Sequence, residues 1–411
     1  MLLTDTSIIK KGTPLWGTLD VLSFLSKNLY NAALYATRQY YFAKHETLTW
    51  QSLSKDFVKH HNPDYYALPT KVSKEVLIQV GRTYASFFKL LDKKRHGDYP
   101  HAVRLPKYKN KTRGRNIITF QAQTIGKPTP IGNGLFEYTV CARSLDMKLI
   151  SRFSDVMMIR IVPGTDCYQV QFIHESPEPV DLSSSPVKYA SIDLGVDNLA
   201  TIWSGAESFI VNGRPLKAVN QYYNKQLALM RASWDRQRRN SDARVTRRMS
   251  RLTAKRNALV KDYLHRASRL LVNQLASIHV TDIIIGYNKE WKQDANMGRK
   301  SNQKFVMIPH EAFLNMIKYK AELAGMRTIL TEESFTSKCS FVDHEELCRH
   351  DTYQGRRVHR GLFRTHDNVF VNADVNGAAN IMCKVIGTQA YACHPVEDAA
   401  VQPTRLTPGK H

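Results

Sequence analysis

The fold class this sequence predicts is multidomain α+β: a helical region beside a small β-barrel, then an α/β domain that carries a helical insertion. Three observations predict it. Apolar residues recur at three- and four-residue spacing across residues 20–95, short alternating apolar runs fill 117–175, and from 187 onward apolar strands alternate with helical stretches.

In the helical region, Leu22, Leu25, Leu29, Ala33 and Ala36 form one stripe, and Val76, Val80, Tyr84, Phe87, Phe88 and Leu91 form another. His61-Asn62-Pro63-Asp64 separates the two helical stretches. The runs Ile117-Ile118-Thr119-Phe120, Val156 to Val162 and Tyr168 to Phe172 read as strands of the small barrel. Pro177-Glu178-Pro179 through Pro186 reads as a linker. Beyond it, Lys188 to Trp203 reads as strand, tight turn and strand, and 215–280 as a long polar helical pair. Val280 to Gly286 is a buried strand, Pro309 to Gly325 a helix, Met326 to Glu332 another strand, and Asn376 starts a closing helix.

With 43% hydrophobic and 10% aromatic residues, the 411-residue chain has material for two or three cores and is not a disordered polyampholyte. Lys and Arg number 59 against 36 Asp and Glu, a net charge of +23. Such an excess points to a polyanion, because cationic side chains gain affinity by releasing counterions from phosphates. The charge is clustered. Segment 93–115 holds nine Lys or Arg and one acid, net +8, with Tyr99 and Tyr108 interleaved and Pro100 and Pro106 interrupting any helix. That pattern suits a phosphate-tracking surface with stacking residues, a solvated loop being the alternative. Segment 231–256 holds ten Lys or Arg against Asp235 and Asp242, again net +8, and on helices would line a groove for a nucleic-acid duplex. No basic start followed by an apolar run opens the chain, and no stretch approaches the ~20 apolar residues that span a bilayer. Six scattered cysteines without a CxxC pair suit a reducing cytoplasm.

Two strings carry chemistry. In Ser191-Ile192-Asp193-Leu194-Gly195-Val196-Asp197 an aspartate rides an apolar strand that turns back through a glycine. This sets a carboxylate at a sheet centre, where a hard cation such as Mg²⁺ finds oxygen ligands. In Asn372-Ala373-Asp374-Val375-Asn376-Gly377-Ala378-Ala379-Asn380, Asp374 sits where a loop enters a helix. Asp374 could simply cap that helix, but the rest of the string is more particular than a cap requires.

These strings, with Thr336-Ser337-Lys338, resemble the RuvC core of TnpB, a family similar to type V CRISPR effectors and Fanzors. Ser86-Phe87-Phe88 and Arg104-Leu105-Pro106-Lys107-Tyr108-Lys109 resemble its recognition and wedge regions, so the likeness spans the chain. It implies residues 1–19 as the N-terminal strand of the wedge domain, 20–115 as a helical recognition region and 116–182 as the wedge β-barrel. An RNase H-like (RuvC) core at 187–338 follows, with the basic helical insertion 215–280. Residues 339–371 become a degenerate zinc-ribbon-like insertion, 372–390 the last RuvC motif and helix, and 391–411 a flexible tail. The implied activity is RNA-guided DNA cleavage, with guide RNA and double-stranded target DNA as partners and two Mg²⁺ ions, replaceable by Mn²⁺, as cofactor. The implied nucleic-acid contacts are Arg104, Lys107, Tyr108, Lys109, Arg236, Arg238, Arg239, Arg247, Arg248 and Arg251.

Two departures matter. The family's usual strand-end glutamate is replaced by Gly286, in Ile283-Ile284-Ile285-Gly286-Tyr287. Some relatives carry that glutamate on the next strand, three residues before the Thr-Ser pair, which here is Glu333. The expected catalytic and metal-binding set is therefore Asp193, Glu333 and Asp374. The ribbon segment keeps only Cys339 and Cys348, too far apart for a zinc knuckle, so no zinc is expected. Two other readings stay open: a nuclease-inactive, RNA-guided DNA-binding repressor, suggested by Gly286, and a transposase in its own right.

Overall fold

The computed structural model describes residues 1–182, 185–237, 245–287, 307–359, 361–387 and 402–409. The chain divides into two compact units, Met1–Ser176 and Pro177–His411. No helix among the described residues is long and apolar enough to cross a membrane.

In the first unit, β1 (Leu2–Lys10) leads into α1 (Pro14–Lys44), α2 (Trp50–Lys59), the single turn α3 (Pro63–Tyr66) and α4 (Thr70–Arg95). The break expected near residue 62 holds a helix start of its own, because the Asn62 side chain accepts a hydrogen bond from the Tyr65 amide, 3.1 Å. Strands β2 (Ile118–Gln121), β3 (Thr129–Gly132), β4 (Leu135–Val140), β5 (Met147–Ser151), β6 (Val156–Pro163) and β7 (Cys167–Glu175) follow.

The small barrel is not there. Among the described residues β1, β7, β6 and β2 make an open antiparallel sheet in that order, and β3, β4 and β5 form a separate three-stranded sheet. Four strands are too few to curl shut. The core that a second sheet wall would have supplied comes instead from α1 and α4, whose Leu22, Leu29, Val76 and Val80 pack with Ile118, Phe120, Ile159 and Phe172.

In the second unit, β8 (Tyr189–Leu194), β9 (Asn198–Trp203) and β10 (Ser208–Asn212) run as an antiparallel meander. Then come α5 (Arg214–Gln237), α6 (Arg247–Ser277), β11 (Asp282–Gly286), α7 (His310–Leu323) and β12 (Arg327–Thr331). Strand β11 lies parallel between β8 and β12. The short sheet β13 (Arg356–His359), β14 (Leu362–Arg364) and β15 (Phe370–Asn372) precedes α8 (Ala373–Ile386). Part of the segment expected as a flexible tail is ordered strand: β16 (Thr404–Leu406) pairs in parallel with β10, completing the order β12-β11-β8-β9-β10-β16.

Alternation along the central strands gives each sheet face its own layer. Ile192, Leu194, Ile283 and Ile285 pack with α6 and α7, while Ile284 packs with Val375, Ala378 and Ile381 of α8. Asp193 and Gly286, each one residue on from a member of the first set, therefore belong to the α8 face.

Candidate active site

The α8 face brings the two aspartates together. Helix α8 crosses β8, β9 and β11, and two details let it close on β8. The Ser191 hydroxyl donates to the Ala378 carbonyl, 2.6 Å. At Gly377 an added Cβ would lie 3.1 Å from Asp193 Oδ2, so a larger residue would crowd the carboxylate. The cap of α8 is Asn372, whose side chain accepts from the amides of Asp374 and Val375 at 3.0 and 3.2 Å. Asp374 is thereby released from capping. Its Oδ2 accepts from Asn198 Nδ2 at 2.7 Å and its Oδ1 from Arg357 at 2.9 Å.

Asn198 opens β9, immediately after the turn that follows Asp193. That turn is braced twice. His310, buried at the start of α7, donates through Nε2 to the Gly195 carbonyl at 2.8 Å. Asp197 pairs with Lys217 of α5 at 3.0 Å, which makes it a fastening of the turn. Neither Asn198 nor Arg357 was anticipated from sequence. Asn198 had a signal, since it lies in the same turn as Asp193, whereas Arg357 sits on a short hairpin with no pattern to mark it.

Glu333 reaches the same face from β12. Gly286 pairs with Thr331 across the parallel ladder, so Glu332 and Glu333 lie just beyond the strand end. An added Cβ at Gly286 would fall 2.5 Å from Glu333 Oε1, 2.8 Å from its Cγ and 2.6 Å from Ile381 Cδ1. The Glu333 side chain thus lies where a residue 286 side chain would begin. The chain then turns: the Thr336 hydroxyl donates to the Glu333 carbonyl, 2.9 Å, and Phe335 adopts φ 65°. Asn380 of α8 grips the far side of that turn, donating to the carbonyls of Thr336 and Cys339 at 2.9 and 2.7 Å. Glu332, by contrast, is 62% exposed and bound to Lys384 and Ser334.

The electrostatics follow from this crowding. Burial, then the charges of Glu333 and Asp374, push the Asp193 carboxyl well above the usual range, against the pull of Arg357. Burial pushes Glu333 up to about 7; Lys384 opposes the rise and Glu332 adds to it. Glu332 falls to about 2 because Lys384 and Ser334 bind its charged form. Asp193 and Glu333, crowded oxygen donors that resist ionisation on their own, suit a hard divalent cation. Among the described residues no three His, Cys, Asp or Glu side chains are gathered closely enough to hold an ion as they stand. The charge opposing Asp374 here is the Arg357 guanidinium.

Comparison with known proteins bears on this arrangement. A family model described as "Probable transposase" (OrfB_IS605) matches residues 170–292, and one described as "Cas12f1-like, TNB domain" matches 310–381. The TnpB-like protein ORF457 of Acidianus two-tailed virus is 22% identical over 89% of this chain and 83% of its own length. The solved structure of the mini-RNA-guided endonuclease CRISPR-Cas phi3 superposes over 96% of this chain and 93% of that one, with TM-score 0.53 and 10% identity. A Cas12f1–sgRNA–target DNA complex matches over 92% of this chain and 98% of that one, with TM-score 0.35 and 16% identity.

What these matches share is a likeness to the TnpB family.

In this chain the segment 339–371 is organised by a carboxylate. Buried Glu345 accepts from the amides of Ser340 at 2.7 Å and Gln354 at 2.9 Å, tying together two parts of the loop. The Cys348 thiol lies 3.4 Å from His350 Nε2, and the buried Cys339 thiol donates to the Glu346 carbonyl, 3.3 Å.

The basic residues fall into distinct settings. Segment 103–117 runs antiparallel to α1, strapped down by its own carbonyls. Lys27 donates to Lys111, Asn31 to Lys109, Arg38 to Pro106 and Ser23 to Asn116. Arg104, Lys107 and Tyr108 remain exposed, with the Arg38 guanidinium 4.4 Å above the Tyr108 ring centre. Lys109 is half-buried, its ammonium 5.0 Å over Tyr30, and burial pushes its pKa down. In the second unit Arg247, Arg248 and Arg251 are exposed in the first turns of α6. Arg256 instead turns inward, donating to Asn220 at 2.7 Å and the Met307 carbonyl at 2.5 Å. Arg238 and Arg239 lie outside the described residues, as does the side chain of Arg236.

Proposed function

We propose that this chain is an RNA-guided DNA endonuclease that hydrolyses phosphodiesters with Asp193, Glu333 and Asp374. The observation that carries the reading is the seat of Glu333. Its carboxylate occupies the space left by Gly286, on the sheet face that also holds Asp193 and receives Asp374 from α8. An antiparallel meander extended by two parallel strands is the order an RNase H-like sheet requires, and it supports the RuvC reading. The likeness to an RNA-guided endonuclease supports the guide, and the two basic stretches supply surfaces for RNA and DNA.

Asp193, Glu333 and Asp374 would hold divalent metal, with Mg²⁺ the ion whose oxygen preference they match. Bound there, it supplies charge to activate the attacking water and to stabilise the leaving oxygen. The chain's own groups do the rest. Asn198 and Arg357 orient the two oxygens of Asp374. Gly377 and Gly286 leave room for the carboxylates. Glu333, raised to about 7 by burial, has to shed its proton to serve as a ligand, which makes metal binding pH-dependent. Arg357, partly exposed at the rim, has further N–H groups for a phosphate oxygen. DNA and guide RNA as partners agree with action in the cytoplasm.

The test uses the protein purified with its copurifying RNA, once that RNA is sequenced. With a matched DNA duplex and Mg²⁺, wild type cuts and Asp193→Ala does not, while both bind the duplex. Binding without cutting by wild type would transfer support to the repressor reading, whose foundation is Gly286.

A further inference from the structure

We infer that Lys384 and Glu332 form a clasp that turns Glu333 into the site, so that helix α8 positions all three carboxylates; this rests on the reading of Glu333 as the third one. Residues 332 and 333 lie just past the end of β12, beyond its last ladder pair, Gly286 with Thr331. The two neighbouring side chains do part company, Glu332 exposed and Glu333 packed against Gly286, so holding one outward directs the other inward. Glu332 is held outward. Its carboxylate takes the Lys384 ammonium, the Ser334 hydroxyl at 2.5 Å and the Ser334 amide at 3.2 Å. Lys384 also donates to the Ser334 hydroxyl, 3.0 Å, which closes a three-membered network.

An exposed ion pair ordinarily contributes little to stability, and Glu332 is 62% exposed. Lys384, however, is only 12% exposed and springs from the last turn of α8. One helix therefore reaches every part of the site. It carries Asp374 in its first turn, abuts Asp193 at Gly377, grips the chain after Glu333 through Asn380 and grips the chain before it through Lys384. Lys384 and Glu332 touch no reacting atom in this scheme, so they are positioning residues.

The probe is Mn²⁺, titrated into the purified protein and followed by electron paramagnetic resonance. Lys384→Met and Glu332→Ala should each weaken Mn²⁺ binding on the order of 10-fold, the range typical of groups that orient a ligand. The double variant should be no weaker than either single one, because one clasp is broken in all three. Lys384→Arg, which keeps a cation for the Glu332 carboxylate, should retain near wild-type binding at an unchanged melting temperature. Wild-type Mn²⁺ affinity in Lys384→Met would overturn the clasp. So would a loss in Lys384→Met that Lys384→Arg shares and that tracks a lowered melting temperature. Glu333→Gln distinguishes loss of the ligand from loss of the clasp that orients it. If it binds Mn²⁺ like wild type, the reading of Glu333 as a ligand falls first.

Discussion

Gly286 and Glu333 share one volume: the Cβ that any other residue would place at 286 would lie 2.5 Å from Glu333 Oε1. A side chain at one position thus excludes the inward carboxylate of the other. Gly286→Ala is expected to displace Glu333 and reduce DNA cleavage at least as much as Glu333→Gln, while overpacking costs about 1–3 kcal/mol of stability. Gly286→Glu combined with Glu333→Ala, which removes the Glu333 side chain and leaves Ile381 Cδ1 to shift, should recover part of the activity. Full activity in Gly286→Ala, measured on a matched duplex, would refute the competition.

The two neighbouring glutamates should separate cleanly. Glu333→Gln removes the charge facing Asp193 and is expected to abolish cutting. Glu332→Gln retains an amide oxygen for Lys384 and Ser334 and should lose only a few-fold, less than the roughly 10-fold expected when an orienting group is removed. Cleavage time courses decide between them, and equal losses would be evidence against separate roles.

Acid dependence follows from the raised pKa values. A carboxyl raised in the folded state, as Glu333 is to about 7 and Asp193 is in direction, stabilises the fold below its unfolded value and withdraws that stability as pH rises through the folded value. Metal-free protein should therefore melt at lower temperature as pH rises from about 5 to 8, and Mg²⁺ should raise the melting temperature most at the upper end. Glu333→Gln should flatten the trend. Differential scanning fluorimetry with and without Mg²⁺ reads both, and a metal-free curve that gains stability with pH would contradict the assignment.

Binding should be separable from cutting. Lys107→Ala with Arg104→Ala is expected to weaken nucleic-acid binding and to reduce the log–log salt slope by about 0.9 for each phosphate left unneutralised. Asp193→Ala should leave that slope unchanged. Filter binding at a series of salt concentrations measures both, and an unchanged slope in the double variant would remove this surface from the interface.

Segment 339–371 should hold together through Glu345 and without zinc. Glu345→Ala strands the amides of Ser340 and Gln354 and is expected to cost about 2–4 kcal/mol. Cys339→Ser should cost less. Elemental analysis returning one zinc per chain, absent once Cys339 or Cys348 is changed, would overturn this account.

Asp193 and Asp374 were legible in the sequence because each lies in a local string whose neighbours have their own work: Ser191 and Gly377 for close approach, Asn372 for capping, Asn376 and Asn380 for the turn beyond Glu333. Glu333 was legible only by its spacing to Thr336, and the physical content of that spacing is the Thr336 hydroxyl on its carbonyl. Arg357 was not, since its link to Asp374 depends on how a short hairpin folds back. The barrel was misread because alternation identifies strands but not their edge partners, and β1 and β2 pair on one side only. The arginines of α6 looked alike in the sequence, yet burial turned Arg256 into a structural donor.

The strap over α1 carries a thermodynamic consequence. Most of its anchors are carbonyl oxygens, which every residue possesses, so its shape does not depend on which cations it displays. A flexible basic arm must surrender roughly 1–2 kcal/mol of backbone entropy for each residue it orders on meeting a polyanion. Here folding has already met that cost, and Arg104, Lys107 and Tyr108 stand in fixed register before any partner arrives. The cationic side chains are free to diverge for different partners, whereas Asn31, Lys27 and Ser23 beneath them are not.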